Sequence, residues 1–139
     1  MSIGRLNHVG IATPSIERSI ALWRDVLGAE RIGEAFDLPA QGVRVCFIDT
    51  PNGQIELIEP LGKGSPLLRF LERNPAGGQH HLCFEVPDIA AAASDMAAKG
   101  ARVLGPARIG AHGVPVIFLH PTDLGGVLIE LMEAPDGHP

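Results

Sequence analysis

The sequence is poor in cysteine and contains no long hydrophobic run. Its two cysteines, Cys46 and Cys83, stand far apart among apolar residues, so we expect buried free thiols rather than a disulfide or a metal site. No apolar run approaches the roughly 18 residues of a membrane span, and the N-terminus lacks the charged-then-apolar plan of a signal peptide. These absences predict a cytoplasmic protein that does not enter a membrane.

Basic residues are also scarce. The chain has 11 Lys and Arg but 16 Asp and Glu, which gives a formal net charge of −5. The sequence has no basic stripe that would neutralise phosphates, so a nucleic-acid partner is not expected. Its 139 residues are enough for one domain with a real core, and we predict a single domain over 1–139.

What the chain does contain is the same unit twice. Three pairs of segments match at offsets of 71 to 74 residues, namely 8–16 with 81–89, 42–47 with 113–118, and 55–57 with 129–131. Both copies carry a histidine and a glutamate at matching places. The sequence therefore predicts an internal repeat of 5–60 and 79–135, joined by 61–78.

Each repeat is predicted to run strand, helix, strand, strand, strand. The first has strands at 6–12, 29–35, 42–50 and 53–60, with a helix capped by Thr13 and ended by Gly28. The second has strands at 80–86, 101–106, 113–120 and 126–133, with a helix at 87–99. A short helix from Pro66 to Glu72 is predicted in the joining segment. The predicted fold class is α+β, with two βαβββ modules pairing into a cupped, barrel-like mixed sheet that has its helices outside.

Strand alternation predicts which side chains meet. Glu56 and Glu130 lie opposite to their apolar neighbours, and His8 and His81 share that open face. Four ionisable groups facing one cup are costly to bury without a cation, and they offer the ligands of a divalent metal centre. The plainer interpretation is that the histidines are hydrogen-bonded structural residues, that the glutamates are solvated, and that duplication alone kept the pairs.

The other histidines are less specific. His80 must point away from its neighbour His81. His112 and His120 flank the strand that follows Gly113 and could line the mouth of the cup, while His138 belongs to the C-terminal tail.

Several longer segments resemble a known family. They are Gly4-Arg-Leu-Asn-His8-Val-Gly-Ile-Ala, Ile55-Glu-Leu-Ile-Glu-Pro-Leu-Gly62, Gly77-Gly-Gln-His-His81, Ile109-Gly-Ala-His-Gly-Val-Pro-Val-Ile-Phe-Leu-His-Pro121 and Gly125-Gly-Val-Leu-Ile-Glu130-Leu. With the paired modules, they resemble the glyoxalase-like vicinal oxygen chelate (VOC) superfamily of glyoxalase I, bleomycin resistance proteins and extradiol dioxygenases. Within it, nearly the whole chain resembles the methylmalonyl-CoA epimerase family.

The resemblance implies a metal-dependent epimerase that inverts C2 of methylmalonyl-CoA through an enolate. By position, the family's metal ligands fall on His8, His81 and Glu130, with Glu56 where some members have Gln. The implied cofactor is a divalent metal ion, first of all Co²⁺, with Mn²⁺, Ni²⁺, Zn²⁺ or Mg²⁺ as other candidates. Glu130 is the first and Glu56 the second candidate for a catalytic base, since Val45 stands where some bacterial members carry a further glutamate.

Three alternatives stay open within the same fold. A glyoxalase I would use a nearly identical metal set on a glutathione hemithioacetal. An epimerase for a neighbouring acyl-CoA, such as ethylmalonyl-CoA, differs only by a methylene, which is worth about 1–3 kcal/mol in a pocket. A small-molecule-binding protein of this fold would need no metal.

Two partners are expected in addition to the metal. The resemblance implies a homodimer, since two open sheets leave helix or edge surface uncovered. The acyl-CoA substrate is expected near 62–73, which has no counterpart in the repeat and offers Lys63, Arg69 and Arg73 to phosphates. The alternative for these three residues is that they are ordinary solvated charges.

Overall fold

The computed structural model describes residues 2–134. They form two compact units. The first unit is His8–His80, and the second comprises the described residues of Met1–Asn7 and His81–Pro139. The predicted repeat bounds of 5–60 and 79–135 stay a prediction, and the predictions for Pro135 and His138 lie outside the described residues.

The first unit contains most of the first strand, four further strands and two helices. Its elements are β1 (Leu6–Ala12), α1 (Ile16–Asp25), β2 (Arg31–Ile32), β3 (Phe36–Leu38), β4 (Val43–Thr50), β5 (Gly53–Pro60) and α2 (Leu67–Arg73). The strand order is β2-β4-β5-β1, with β3 also paired to β4. β1 runs parallel to β5, while β4 and β5 form an antiparallel hairpin.

The second unit repeats this order with one strand fewer. Its elements are β6 (Gly78–Val86), α3 (Ile89–Ala98), β7 (Arg108–Ile109), β8 (Pro115–Leu119) and β9 (Ile129–Glu133). Their order is β6-β9-β8-β7, with β6 parallel to β9 and β8 antiparallel to it. The predicted α+β class, with strand and helix order repeated, is confirmed.

One long helix packs against each half of the strands. In the first unit Ile16 of α1 packs with Cys46, Ile48 and Leu57, and all four are fully buried. In the second unit a separate cluster joins α3 to its strands through Val86, Ile89, Ala92, Ile117, Leu119 and Leu131. Because side chains alternate along a strand, the residues between these core positions face away from the helices. Cys46 and Cys83 are both free and buried, as predicted.

Both long helices begin at a side-chain cap. The hydroxyl of Ser15 accepts a hydrogen bond from the N–H of Arg18, so Ser15 caps α1 and the prediction of Thr13 as the cap is wrong. Thr13 instead follows the end of β1, and its N–H donates to the carbonyl of Ile58 at 2.8 Å. In the second unit Asp88 caps α3 by accepting from the N–H of Ala91.

Two predicted strands are much shorter than expected. The predicted strand at 29–35 pairs with β4 only at Arg31–Ile32, and pairing resumes at Phe36–Leu38. The predicted strand at 101–106 is reduced to one bridge between Val103 and Leu119. Gly105 then turns with a φ of +80°, and Pro106 has no N–H to continue a ladder. Among residues 2–134, no helix is long and apolar enough to span a bilayer.

Candidate metal and active site

The first unit places His8 and Glu56 together on the face opposite α1. Glu56 of β5 lies in register with Gly10 of β1 and Phe47 of β4, while its neighbour Leu57 packs into the helix core. His8 is 2% and Glu56 6% exposed. The Nε2 atom of His8 lies 3.7 Å from Oε1 of Glu56. In this unit the imidazole and the carboxylate therefore lie side by side and buried.

The second unit holds the matching pair. Glu130 of β9 lies in register with Cys83 of β6 and Phe118 of β8, and Leu131 packs under α3. His81 is 5% and Glu130 6% exposed, and the Nε2 atom of His81 lies 3.2 Å from Oε1 of Glu130. Each unit thus contributes one buried imidazole and one buried carboxylate.

An aromatic ring accompanies each pair, which the sequence interpretation did not include. Phe47 meets the ring of His8 edge-on, with centroids 6.5 Å apart, and Phe118 meets the ring of His81 at 5.7 Å. Both phenylalanines occupy matching places in the repeat, so the repeated sequence already contained this signal. Each phenylalanine thus makes an edge contact with the imidazole of its own unit.

The donor atoms suit a divalent metal ion. Imidazole nitrogen and carboxylate oxygen bind at about 2.0–2.2 Å, so two such ligands of one ion at tetrahedral or octahedral angles lie about 3.0–3.4 Å apart. The separation of 3.2 Å in the second unit falls within this range, and 3.7 Å in the first exceeds it by a few tenths of an ångström. Nitrogen and oxygen donors together are typical ligands of Zn²⁺, Co²⁺, Ni²⁺ and Mn²⁺. The residues therefore fit such an ion.

The less specific histidines have local contacts. His80 meets Phe70 of α2 edge-on at 5.1 Å, which fixes that helix. His120 caps a short 3-10 turn, because its Nδ1 accepts from the N–H of Thr122 at 3.1 Å. His112 lies in the turn between β7 and β8. Their proposed place at the mouth of a cup stays a prediction.

Val45, which the resemblance places where some bacterial family members carry a glutamate, is fully buried. It lies in register with Phe36 on β3 and Ile58 on β5. Its surroundings are apolar, and no carboxylate replaces it at this register. Among residues 8–80, Glu56 is the one buried carboxylate.

A further buried acid, Glu85, was missed from the sequence. It is 4% exposed and lies two residues beyond Cys83 on the face of β6 that carries His81. Its carboxylate accepts from the amide of Asn7 at 2.9 Å and lies 3.7 Å from the guanidinium of Arg5. The repeat gave no signal, because the matching residue of the first copy is an alanine. Glu85 anchors the N-terminal residues to the second unit.

Outside the site, the pKa values of Cys46 and Asp123 depart from their ordinary values. Burial raises the pKa of the Cys46 thiol, so this cysteine stays protonated and unreactive at neutral pH. Hydrogen bonds from the side chain and N–H of Arg102 lower the pKa of Asp123 to about 2. This ion pair fixes the segment after α3 to the turn after β8.

Comparison with known proteins agrees with this architecture. The chain is 57% identical over 131 residues to the ethylmalonyl-CoA/methylmalonyl-CoA epimerase of Cereibacter sphaeroides, covering 93% of this chain and 97% of that protein. It is 51% identical over 134 residues to the human mitochondrial methylmalonyl-CoA epimerase, covering 96% of this chain and 76% of the relative.

A solved structure has the same fold over nearly the whole chain. A variant of Streptomyces coelicolor methylmalonyl-CoA epimerase in complex with 2-nitronate-propionyl-CoA superposes with a TM-score of 0.87 at 33% identity, covering 97% of both chains. The predicted glyoxalase-like fold is confirmed. The family model of the glyoxalase/bleomycin resistance protein/dioxygenase superfamily matches residues 7–118, and the chain belongs to this superfamily.

Proposed function

We propose that the chain is a metal-dependent methylmalonyl-CoA epimerase. The observation that carries this proposal is the duplicated buried pair, His8 with Glu56 and His81 with Glu130. The identity of 51–57% to proteins named for this activity supports it. Glyoxalase I, the alternative within the superfamily, is not favoured by these relatives.

The reaction needs two proton transfers. Methylmalonyl-CoA carries a weakly acidic C–H bond between a thioester carbonyl and a carboxylate. Inversion removes the C2 proton on one face, leaves a planar enolate and returns a proton to the opposite face. Two groups on opposite sides of the substrate are therefore required, one as base and one as acid.

The two glutamates fill these roles best. Glu130 takes the proton from C2 of one epimer, and Glu56, protonated, donates its own proton to the other face. After one turnover Glu130 carries the proton and Glu56 has lost it. The enzyme can then convert the other epimer, or the two carboxyl groups can exchange protons with water. Glu56 is needed as the second group, because Val45 offers no ionisable atom.

The residues that would hold the metal are His8, Glu56, His81 and Glu130. A divalent ion held there would supply a Lewis acid that stabilises the negative charge developing in the enolate. The histidines serve only as ligands here, and the edge contacts of Phe47 and Phe118 hold their rings in place. Co²⁺ is our first choice of ion.

Proton exchange tests the function directly. Methylmalonyl-CoA is incubated in D₂O with the metal-loaded protein and followed by NMR. We expect deuterium at C2, loss of optical purity and no other product. Absence of exchange, together with turnover of a glutathione hemithioacetal, would identify a glyoxalase I instead. Less than one metal per chain, with none recovered on soaking, would favour the metal-free binding protein.

Ethylmalonyl-CoA is a second candidate substrate of the same site. The relative that is 57% identical is named for both acyl-CoA esters. The extra methylene changes binding by only about 1–3 kcal/mol. Comparing kcat/KM for the two esters tests this, and we expect values within roughly 100-fold of each other.

The proposed enzyme is a cytoplasmic homodimer. Uncovered apolar surface supports self-association, because Leu22, Val26 and Leu27 near the end of α1 are 59–73% exposed. Light scattering at micromolar concentration tests the dimer, and a monomeric mass would contradict it. Fractionation of cells that express the protein tests the compartment.

A further inference from the structure

Six of the eleven Lys and Arg residues make no ion pair with a carboxylate among residues 2–134, and half of these six are close together in sequence. Five cations do pair with Asp or Glu, namely Arg5, Arg24, Arg44, Lys99 and Arg102. Lys63, Arg69 and Arg73 are unpaired and exposed, and all lie in 62–73, here named the basic segment. Its one acid is Glu72. Unpaired cations are therefore concentrated beside one end of the hairpin.

The helix of the basic segment is fixed so that its arginines face outward. Leu67 is 2% exposed, and Phe70 packs edge-on against His80. Arg69 and Arg73 are four residues apart on α2 and so lie on one side of the helix. Two guanidinium groups on one exposed helix face can act on the same anion.

The basic segment begins where the strand that carries Glu56 ends. The N–H of Leu61 donates to the carbonyl of Gly42 at 2.9 Å, which closes the open end of the hairpin. From Glu56 to Pro60 the strand advances four residues, about 13 Å at the usual rise. Between these ends lies the apolar pair of Val45 and Ile58. A stretch of strand about 13 Å long thus separates Glu56 from the start of the basic segment.

We propose that the basic segment binds the phosphate groups of the nucleotide end of the substrate. This rests on the proposed acyl-CoA function. The nucleotide end of CoA carries a pyrophosphate and a ribose phosphate, and Arg and Lys are the side chains that recognise phosphate oxygens. The chain has a net charge of −5, so a polyanionic substrate needs a local positive surface to be held.

Charge reversal separates this inference from the proposed chemistry. The variant Lys63→Glu/Arg69→Glu/Arg73→Glu is compared with wild type on methylmalonyl-CoA and on methylmalonyl-pantetheine, which lacks the nucleotide. We expect KM for the CoA ester to rise about 10-fold or more, with kcat unchanged and the rise weakening in salt. KM for the pantetheine thioester stays as in wild type.

The chain offers a matched control. Arg18, Arg31 and Arg108 are also exposed and unpaired among the described residues, and they lie on α1, β2 and β7. Their triple reversal to Glu changes the net charge equally and should leave both KM values near wild type. The proposal would be overturned if KM for the CoA ester rose equally in the two triple variants. It would also be overturned if the basic-segment variant raised KM equally for the CoA ester and the pantetheine thioester.

Direct binding keeps the test independent of turnover. Calorimetry with free CoA should show binding to wild type and to the control variant, and a loss of roughly 10-fold or more in the basic-segment variant. The Lys63→Gln/Arg69→Gln/Arg73→Gln variant removes the charges without reversing them. Its affinity for CoA should lie between those of wild type and the charge-reversal variant. If wild type binds CoA but exchanges no deuterium, the epimerase function fails while the phosphate site stands. If all proteins bind CoA equally, the phosphate site is refuted.

Discussion

The carboxylate of Glu59 accepts a hydrogen bond from the backbone N–H of Ile16 at 2.8 Å, three residues beyond Glu56 on the same strand. The second unit repeats this relationship, because Glu133 accepts from the N–H of Ile89 at 3.2 Å. Each strand that carries a site glutamate therefore also holds the N-terminus of the long helix packed behind it. A carboxylate here satisfies a free N–H and complements the helix dipole.

Removing the carboxylate of Glu59 or Glu133 should lower the stability of the fold without removing a proposed metal ligand. We expect Glu59→Ala and Glu133→Ala each to cost about 1 kcal/mol of unfolding free energy, and the Gln variants less, because an amide oxygen still accepts the hydrogen bond. Urea unfolding measures this. Glu34→Ala, at an exposed position, is the control and should change stability by less than about 0.5 kcal/mol. Equal effects of all three Ala variants would contradict the capping role.

Glu130→Gln separates the metal and proton roles of that residue. The amide oxygen can still coordinate, so bound metal should be largely retained, but the base is lost. We expect turnover to fall by roughly 10²-fold or more. Deuterium wash-in from each epimer and elemental analysis are measured on the same sample. A variant that holds its metal and exchanges both epimers at near wild-type rates would eliminate Glu130 as a base.

Glu56→Gln should reduce turnover less than Glu130→Gln does, since the resemblance places Gln at this position in some family members. We expect retained metal and a loss of turnover below roughly 10²-fold. The decisive readout is asymmetry: the epimer served by Glu56 loses wash-in while the other keeps it. Equal losses from both epimers would mean that Glu56 acts as a ligand alone.

The ion pair of Asp123 with Arg102 should make stability depend on acid pH. The pKa of Asp123 is lowered from 3.8 to about 2 in the fold, so its contribution is present above the unfolded pKa and is lost as pH falls toward 2. We expect Asp123→Asn to lower Tm at neutral pH and to match wild type near pH 2. A Tm difference that stays constant over this range would contradict the assignment.

Gly77 should tolerate no side chain. A Cβ on Gly77 would overlap the carbonyl oxygen of Ala12, and its φ is +92°. Gly28 has a φ of +72° but open space around it. We expect Gly28→Ala to cost about 1 kcal/mol from backbone strain, and Gly77→Ala about 2–3 kcal/mol or more because the strand end must also shift. Chemical denaturation compares them, and equal losses would show that the close approach is unimportant.

The paired site residues could be predicted because two regularities act together. Alternation along a strand fixes which face Glu56 and Glu130 occupy, and the repeat supplies a second, independent copy of each prediction. In the structure His8 lies 3.7 Å from Glu56, and His81 lies 3.2 Å from Glu130. Their roles as site residues stay predictions. The metal itself and the division of proton transfer stay predictions.

Element ends and local caps were harder to predict. Thr13 and Ser15 both carry a hydroxyl suited to a cap, and the choice depends on the hydrogen bond from Thr13 to Ile58, a residue distant in sequence. The capping roles of Glu59 and Glu133 likewise arise from pairing between distant segments. The sequence shows that both glutamates follow Glu56 and Glu130 by three residues. It does not show that they accept hydrogen bonds from the N–H groups of Ile16 and Ile89.

The attachment of the N-terminus to Glu85 has a consequence for dividing the chain. The N–H of Gly4 donates to the carbonyl of Glu85 at 2.6 Å, and the N–H of Glu85 donates to the carbonyl of Arg5 at 2.9 Å. A cut within 61–78 therefore leaves the N-terminal fragment carrying residues that complete the other fragment's unit. The C-terminal fragment alone should be less stable than in the intact chain, and adding the N-terminal fragment should restore its structure. The copy that begins at residue 79 is therefore not a separable domain unless residues 4–7 are supplied with it.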